Sequence, residues 1–396
     1  MIIDRDTRTK HSSAMPVYFD NNATTRLSES ALEAMMPFFT EEFGNASSRH
    51  DYGSRARMAI NIARERVAAL VSVDPVQVIF TSGGTEANNM FFGGMAAYLK
   101  PSQVVISGIE HPCVSVPANK LVRQGWSLDN LKVTQDGQIP LSEISLDRFH
   151  LNGLVSVMLA NNETGVIQPV REIARVVRQA GGWIHSDAVQ ALGKIKVDFE
   201  ELGVHALSIS AHKINGPKGI GALIIDKKLP IEPFINGGGH ERGYRSGTEN
   251  VASIVGFGVA AEEAQRNLDR YQSQVSPIRD KIESDLALNG ATIFGKSVER
   301  LPNTTCFSIP GIHGETLVME LNKSGFAVAS GAACSSHNEK ASATLSAMNV
   351  SESLSLGAVR VSLGPQNSHD EASRFGIAVS RITDDLKNMA SVAISA

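Results

Sequence analysis

WIHSDAVQALGKIKVDFEELGVHALSISAHKINGPKGIGALIID, residues 183–226, is the stretch on which the reading of the fold turns. WIHSD (183–187), ALSIS (206–210) and GIGALIID (219–226) are short, mostly apolar and bounded by glycine or polar residues, which marks three strands. Two groups capable of chemistry follow strand ends. Asp187 closes the first strand, and Lys213 lies in the loop Ser210-Ala211-His212-Lys213 after the second. In open α/β sheets ligands bind beyond the carboxyl ends of strands. Taken singly, Asp187 reads as an N-cap and Lys213 as a solvated side chain. Lys218, in GPKGIG (216–221), reads as part of a turn.

Working outward, VQVIFTS (76–82), QVVIS (103–107) and GLVSVMLA (153–160) read as further strands. The last is apolar almost throughout, as expected of a strand covered on both faces. Helices are expected over 53–71, with Ala59, Ala63, Val67 and Val71 on one face, and over 86–100 and 170–180. Strands alternating with helices predict a mostly parallel sheet with right-handed crossovers. Residues 251–290 read as helical, interrupted at Pro277. A second strand-and-helix set follows: TTCFSI (304–309), a helix near ETLVMELNKSG (315–325), FAVAS (326–330) and AVRVSLG (358–364). We expect a large domain over 16–265 and a smaller one made of 266–396 together with residues 1–15.

The 396 residues carry a formal net charge of −4, with 42% hydrophobic and 20% charged residues. A chain of this length and apolar content buries a sizeable core, which excludes wholesale disorder. The 34 glycines and 15 prolines show no period, so the chain is neither collagen-like nor a repeat array. The mild acidity argues against direct nucleic-acid binding. Three widely spaced cysteines, Cys113, Cys306 and Cys334, form neither a disulfide framework nor a CxxC metal pair, and fit a reducing compartment. MIIDRDTRTKHSSAMP (1–16) has no apolar signal core, and no apolar run nears the roughly 18 residues of a bilayer span. The expectation is a cytoplasmic protein without membrane contact or a metal site.

Thr81-Ser82-Gly83-Gly84-Thr85-Glu86 joins a strand to a helix. Its glycines allow close backbone approach, and the helix start offers unpaired N–H groups and a positive dipole end. That suits a phosphate, and without a following GK[ST] it is not a Walker loop. A phosphate cradle, a strand-end carboxylate and a loop lysine, in that order, are the parts of a pyridoxal phosphate site. The lysine forms the Schiff base, the aspartate holds the pyridinium proton and the helix end takes the phosphate.

With these residues in place, the chain resembles the class V aminotransferase family, and within it the cysteine desulfurases of the NifS/IscS type. The resemblance runs through YFDNNATT (18–25), FTSGGTEANN (80–89), EHPCV (110–114), NNETG (161–165), HSDAVQALGK (185–194), SAHKINGPKGIGAL (210–223), GGGHERGYRSGTEN (237–250), SGAAC (330–334) and VRVSLG (359–364). It implies the pyridoxal-phosphate transferase fold of type I: an α/β large domain with a mostly parallel seven-stranded sheet, and a smaller α/β C-terminal domain. It implies L-cysteine as substrate, converted to alanine with the sulfur held as a persulfide and passed to an acceptor protein. Lys213 is then the Schiff-base lysine, and His111 stacks on the ring and moves protons. Asp187 pairs with the pyridine nitrogen, and Gln190 hydrogen-bonds the ring hydroxyl. Asn162 lies beside that hydroxyl and the substrate. Gly84, Thr85, Ser210 and His212 hold the phosphate. Thr248 reaches the cofactor of a neighbouring subunit, which implies a homodimer. Arg360 binds the substrate carboxylate, for which a guanidinium fork is suited.

Cys334 decides the reaction. Small residues before it and the polar run SSHNEKAS after it compose a mobile surface loop, where a thiol can ionise and attack. Cys306 and Cys113 read as buried, Cys113 as a bystander beside His111. The SGAAC context resembles the long-loop subgroup, not the one with an Arg-x-Gly-His-His-Cys context. The flank Ser335-Ser336-His337-Asn338-Glu339-Lys340 departs from the family's Ser/Gly segment and Leu-Glu-Pro turn, and residues before Val17 form an extension. The rival readings are a selenocysteine lyase or transaminase on the same fold, and a non-catalytic scaffold. Iron–sulfur cluster assembly, tRNA thiolation and DNA phosphorothioation are alternative destinations for the sulfur, and fold does not choose among them.

Overall fold

The three strands of the 183–226 segment lie side by side in a seven-stranded sheet, in a computed structural model that describes residues 16–331 and 341–395. The strand order is Val78–Thr81, Gly221–Ile225, Ala206–Ser210, Trp183–Asp187, Leu154–Ser156, Gln103–Ser107, Ser127–Leu131. Gly221–Ile225 runs antiparallel to both neighbours, and every other pairing is parallel. The reason is connection length. A parallel return needs a crossover of a dozen or more residues, and only a short loop separates Ser210 from Gly221. The other six strands therefore end on one edge, which gathers Thr81, Ser107, Asp187 and Ser210.

Alternate residues of these strands enter two different cores. Val78, Phe80, Val105, Val155, Ile184, Leu207 and Ile224 face one side, under the helices Asp51–Leu70, Val170–Gln179 and Val251–Arg266. Ile79, Val104, Ile106, Leu154, Ala206, Leu223 and Ile225 face the other, under Gly84–Tyr98 and Pro112–Val122. This is the two-residue period of a sheet covered by helices on both faces.

A third core forms around the C-terminal sheet. Thr304–Ser308 pairs antiparallel with Ala358–Ser362 and with Thr292–Ile293, and Ala329–Ser330 lies on the far side of Ala358–Ser362. Ile278, Ile282, Phe307, Val359, Val361, Phe375 and Val379 fill it. Residues 17–19 belong here rather than with the 16–265 segment to which the sequence reading assigned them. Val17–Tyr18 pairs in parallel with Phe326–Ala327, and Phe19 packs edge-on to Phe375 at 5.6 Å. Val17 and Phe19 find cover in the C-terminal core, beside partners more than 300 positions away.

Two further expectations are corrected. Pro277 does not interrupt its helix; Leu268–Leu288 continues through it, and the break falls at Asn267. The carbonyl that Pro277 cannot pair with, on Ser273, is on the exposed face, open to solvent, while Val275, Ile278 and Ile282 anchor the buried face. The strand expected over 153–160 shortens to Leu154–Ser156, although the Val157 and Leu159 N–H groups still reach the carbonyls of His185 and Asp187. Met158 and Ala160 turn away to line a cavity.

Arg64 and Glu241 bind this scaffold to the loop after it. Their fork closes at 2.7 Å on both arms, the Phe80 N–H donates to the same carboxylate at 2.9 Å, and the guanidinium stacks 4.6 Å over the Phe80 ring. The pair holds Glu241 and Arg242 in the left-handed region, at φ 45° and 56°. Both side chains are buried, so Glu241→Gln leaves the guanidinium uncompensated. We expect a loss of about 3–5 kcal/mol, read from denaturant unfolding of the loaded protein.

Candidate active site

Asp187 leaves the sheet at the gathered strand ends, and its two oxygens are fixed. Oδ2 accepts from Asn88 Nδ2 at 2.7 Å, and Oδ1 accepts from the Val189 N–H at 2.9 Å. Asn88 stands four residues after Gly84, so one helical turn carries it beneath the start of Gly84–Tyr98. That spacing was visible in the TEANN motif, yet sequence reasoning passed over Asn88.

Among the described residues no side-chain cap hydrogen bond closes the start of the helix Gly84–Tyr98, whose N-cap Gly83 has φ 153°. Its first N–H groups therefore remain available to an anion. A Cβ on Gly84 would stand 2.7 Å from Val189 Cγ2, so only glycine lets the helix start come this close to the Asp187 turn. Thr85, Ser210 and His212 line the same hollow. Burial pushes the His212 pKa down to about 4, with Lys213, Lys218 and Lys194 adding to the fall, so the ring is neutral.

Lys213 follows in the turn Ala211–Lys213. Its Nζ donates to the carbonyls of Asn22 and of Ala23, the latter at 2.7 Å. His111 caps the helix Pro112–Val122: Nδ1 accepts from the Cys113 N–H at 3.2 Å and lies 2.8 Å from the Cys113 sulfur. Burial depresses its pKa, Asp187 opposes, and Lys213 adds to the fall. With Nδ1 engaged as an acceptor, a neutral ring carries its proton on Nε2.

These groups enclose a cavity of about 270 Å³. Gly84, Thr85, His111, Asn162, Asp187, Gln190, Ser210, His212 and Lys213 line it, with Cys113, Met158, Ala160 and Val189. Nine of the residues singled out in the sequence thus meet around one space. Arg360 stands behind it, buried on Ala358–Ser362. Nη2 pairs with Asp20 at 2.7 Å, and Nη1 donates to the Asn162 carbonyl at 3.1 Å. Thr248 is exposed and outside the cavity. Cys334 lies outside the described residues. Cys306 is buried in the core, and burial raises its pKa. Cys113 is in the cavity wall, where burial and then Asp187 push its pKa up to about 12, so it remains a thiol.

Besides Asn88, the sequence reading missed Asn22, Glu110 and Lys194. Asn22 donates to Thr304 Oγ1 and the Asn162 carbonyl, while its own carbonyl accepts from Gln190 and Lys213. Glu110 neighbours His111; Oε1 accepts from Ser107 and from the Met158 N–H, while Oε2 is buried without a partner among the described residues. Burial pushes its pKa from 4.5 up to about 8, Asp187 adds to the rise, and the two donors oppose it. A raised carboxyl pKa supports the fold while the group is protonated. That support is complete below about pH 4.5 and is lost as pH rises through about 8. Glu110→Gln is therefore expected to gain melting temperature relative to the parent as pH rises from about 5 to 8, with a flat difference below. Thermal melts across pH measure it.

Uncapped helix end, fixed carboxylate and lysine together fit pyridoxal phosphate in charge and in kind. Comparison with known proteins agrees. A family model described as aminotransferase class-V matches residues 17–375. The cysteine desulfurase of Sinorhizobium fredii is 41% identical over 365 residues, 91% of this chain and 94% of that one. The cysteine desulfurase NifS of Azotobacter vinelandii is 38% identical, covering 94% of each chain. A solved NifS-like protein superposes with TM-score 0.88 at 37% identity, over 93% of this chain and 100% of the other. The structure of SspA in complex with cysteine superposes with TM-score 0.78 at 28% identity, over 89% and 99%. The chain belongs to the pyridoxal-phosphate-dependent aminotransferase class-V family, among its NifS-type cysteine desulfurases.

Proposed function

We propose that this protein is a cysteine desulfurase that takes sulfur from L-cysteine and leaves L-alanine. The observation that carries the reading is the convergence of Lys213, Asp187 and the uncapped start of Gly84–Tyr98 on one cavity. When bound, pyridoxal phosphate supplies a Schiff-base carbonyl and an electron sink. Lys213 is the amine that attaches it and, once displaced by substrate, removes the α-proton. Asp187 keeps the pyridine nitrogen protonated, and Thr85, Ser210, His212 and the helix end hold the phosphate. His111 covers the ring, and its Nε2–H offers a proton. Gln190 serves the ring hydroxyl, with Asn162 beside it. Arg360 exchanges Asp20 for the substrate carboxylate. The Cys334 thiolate attacks the substrate sulfur: an S–S bond forms, the C–S bond breaks, and Cys334 is left as a persulfide for an acceptor protein.

The same reading takes the chain as two units dividing near residue 265, located in the cytoplasm and paired as a homodimer. Exposed Met36, Phe39, Phe43, Met58 and Ile62 provide apolar surface for a second subunit, and Thr248 is free to reach across. The acceptor belongs to iron–sulfur assembly, tRNA thiolation or DNA phosphorothioation. Alanine, sulfide and keto acid are to be measured from L-cysteine with a thiol reductant. Equal alanine and sulfide are expected. Keto acid without sulfide would indicate a transaminase, and turnover of L-selenocysteine alone a lyase of that substrate.

A further inference from the structure

Lys194 is 2% exposed, and among the described residues it forms no ion pair. Its Nζ donates to the Gln190 carbonyl at 2.9 Å, to Gln190 Oε1 at 2.9 Å and to Asn22 Oδ1 at 3.4 Å. Burial lowers its pKa, and the nearby cations Lys213 and Arg360 lower it further. An amine placed so, with dipoles but no counter-ion, costs the fold stability that an apolar side chain of the same length would not.

What it sets is the orientation of an amide. The two ends of a glutamine amide differ, and neighbours decide which way each faces. Here Lys194 occupies Oε1, and Gln190 Nε2 donates to the Asn22 carbonyl at 2.9 Å. A flipped amide would set an N–H against the lysine donor and Oε1 against the Asn22 carbonyl. The observed orientation leaves a second N–H on Gln190 with no acceptor among the described residues, on a side chain that lines the cavity with Asp187 and Lys213. We infer that Lys194 is a positioning residue that fixes Gln190 as an N–H donor toward the oxygen on the bound ring. This rests on the reading of Gln190 given above.

Asn22 completes the arrangement. Its Oδ1 accepts from both Lys194 and Asn303, so turning it away would cost each of them one acceptor. Lys194 thus acts at one remove, through an amide and never on the reacting atoms. The titratable and charged groups around the amide are Lys194 and Lys213, with Asp187 and His111 across the cavity and Arg360 behind it.

The test compares cofactor-loaded parent protein with Lys194→Met, Lys194→Gln, Gln190→Met and the Lys194→Met/Gln190→Met double variant, without substrate. The readout is the pH midpoint of the visible absorbance change of the bound cofactor. Gln190→Met is expected to raise it by about one pH unit, the cost of losing one donor to a charged oxygen. Lys194→Met is expected to raise it similarly, Lys194→Gln, which keeps an N–H donor, by less, and the double variant no further than Gln190→Met. If Gln190→Met shifts the midpoint but Lys194→Met does not, the inference fails and the reading of Gln190 stands. Additive shifts in the double variant, or a Lys194→Gln shift as large as that of Lys194→Met, also overturn it. An unmoved midpoint in Gln190→Met removes the reading and the inference together.

Discussion

Lys213→Ala is expected to abolish desulfuration, with a fall of at least 10²–10⁴-fold from the loss of a positioned proton acceptor alone. Loss of the covalent tether adds to it. No other amine substitutes. Lys218 lies beyond the turn and lines the hollow of the helix start, not the cavity that holds Asp187. Lys194 is held behind Gln190 by three oxygens. The variant should still take up pyridoxal phosphate, because Asp187 and the uncapped helix end are untouched, but its absorbance should be that of the free aldehyde. Alanine production at more than a few per cent of the parent would mean that Lys213 is not the attaching amine.

Cys334→Ala is expected to separate binding from sulfur transfer. The cavity groups that hold the cofactor all lie elsewhere in the chain, so the parent absorbance and its response to L-cysteine should persist. Sulfide and persulfide should fall by about 10⁴-fold or more, as when an enzyme loses its covalent nucleophile. Neither remaining cysteine replaces it. Cys306 is enclosed in the core, and the Cys113 thiol, with its pKa near 12, is not ionised at neutral pH. Wild-type rates in Cys334→Ala would place the sulfur acceptor on another group.

The parts of the site legible in the sequence were those set by local geometry. Asp187, Ser210 and Gly84 each stand where a strand ends or a helix begins, and period and punctuation in the sequence mark such points. Mostly parallel order followed from helices between strands, whereas the antiparallel Gly221–Ile225 was not singled out, although its short connection explains it. What stayed hidden depends on distant partners. Nothing near Lys194 says that Asn22 will meet it, or that Glu110 will be enclosed beneath Met158. Pro277 misled because a local rule about proline was applied without knowing which face of the helix meets water. The family resemblance supplied roles for Thr248 and Arg360 that strand periodicity does not contain.

Asn22 has a consequence for the order of events on the ribosome. Its N–H rests on the Ser362 hydroxyl, and Phe19, three residues earlier, closes against Phe326 and Phe375. The peptide that presents carbonyls to Lys213 therefore waits for partners more than 300 positions later in the chain before it is seated. Vitamin capture is then a terminal step of biogenesis, and a nascent chain stalled before residue 350 should remain colourless however long the cofactor is supplied.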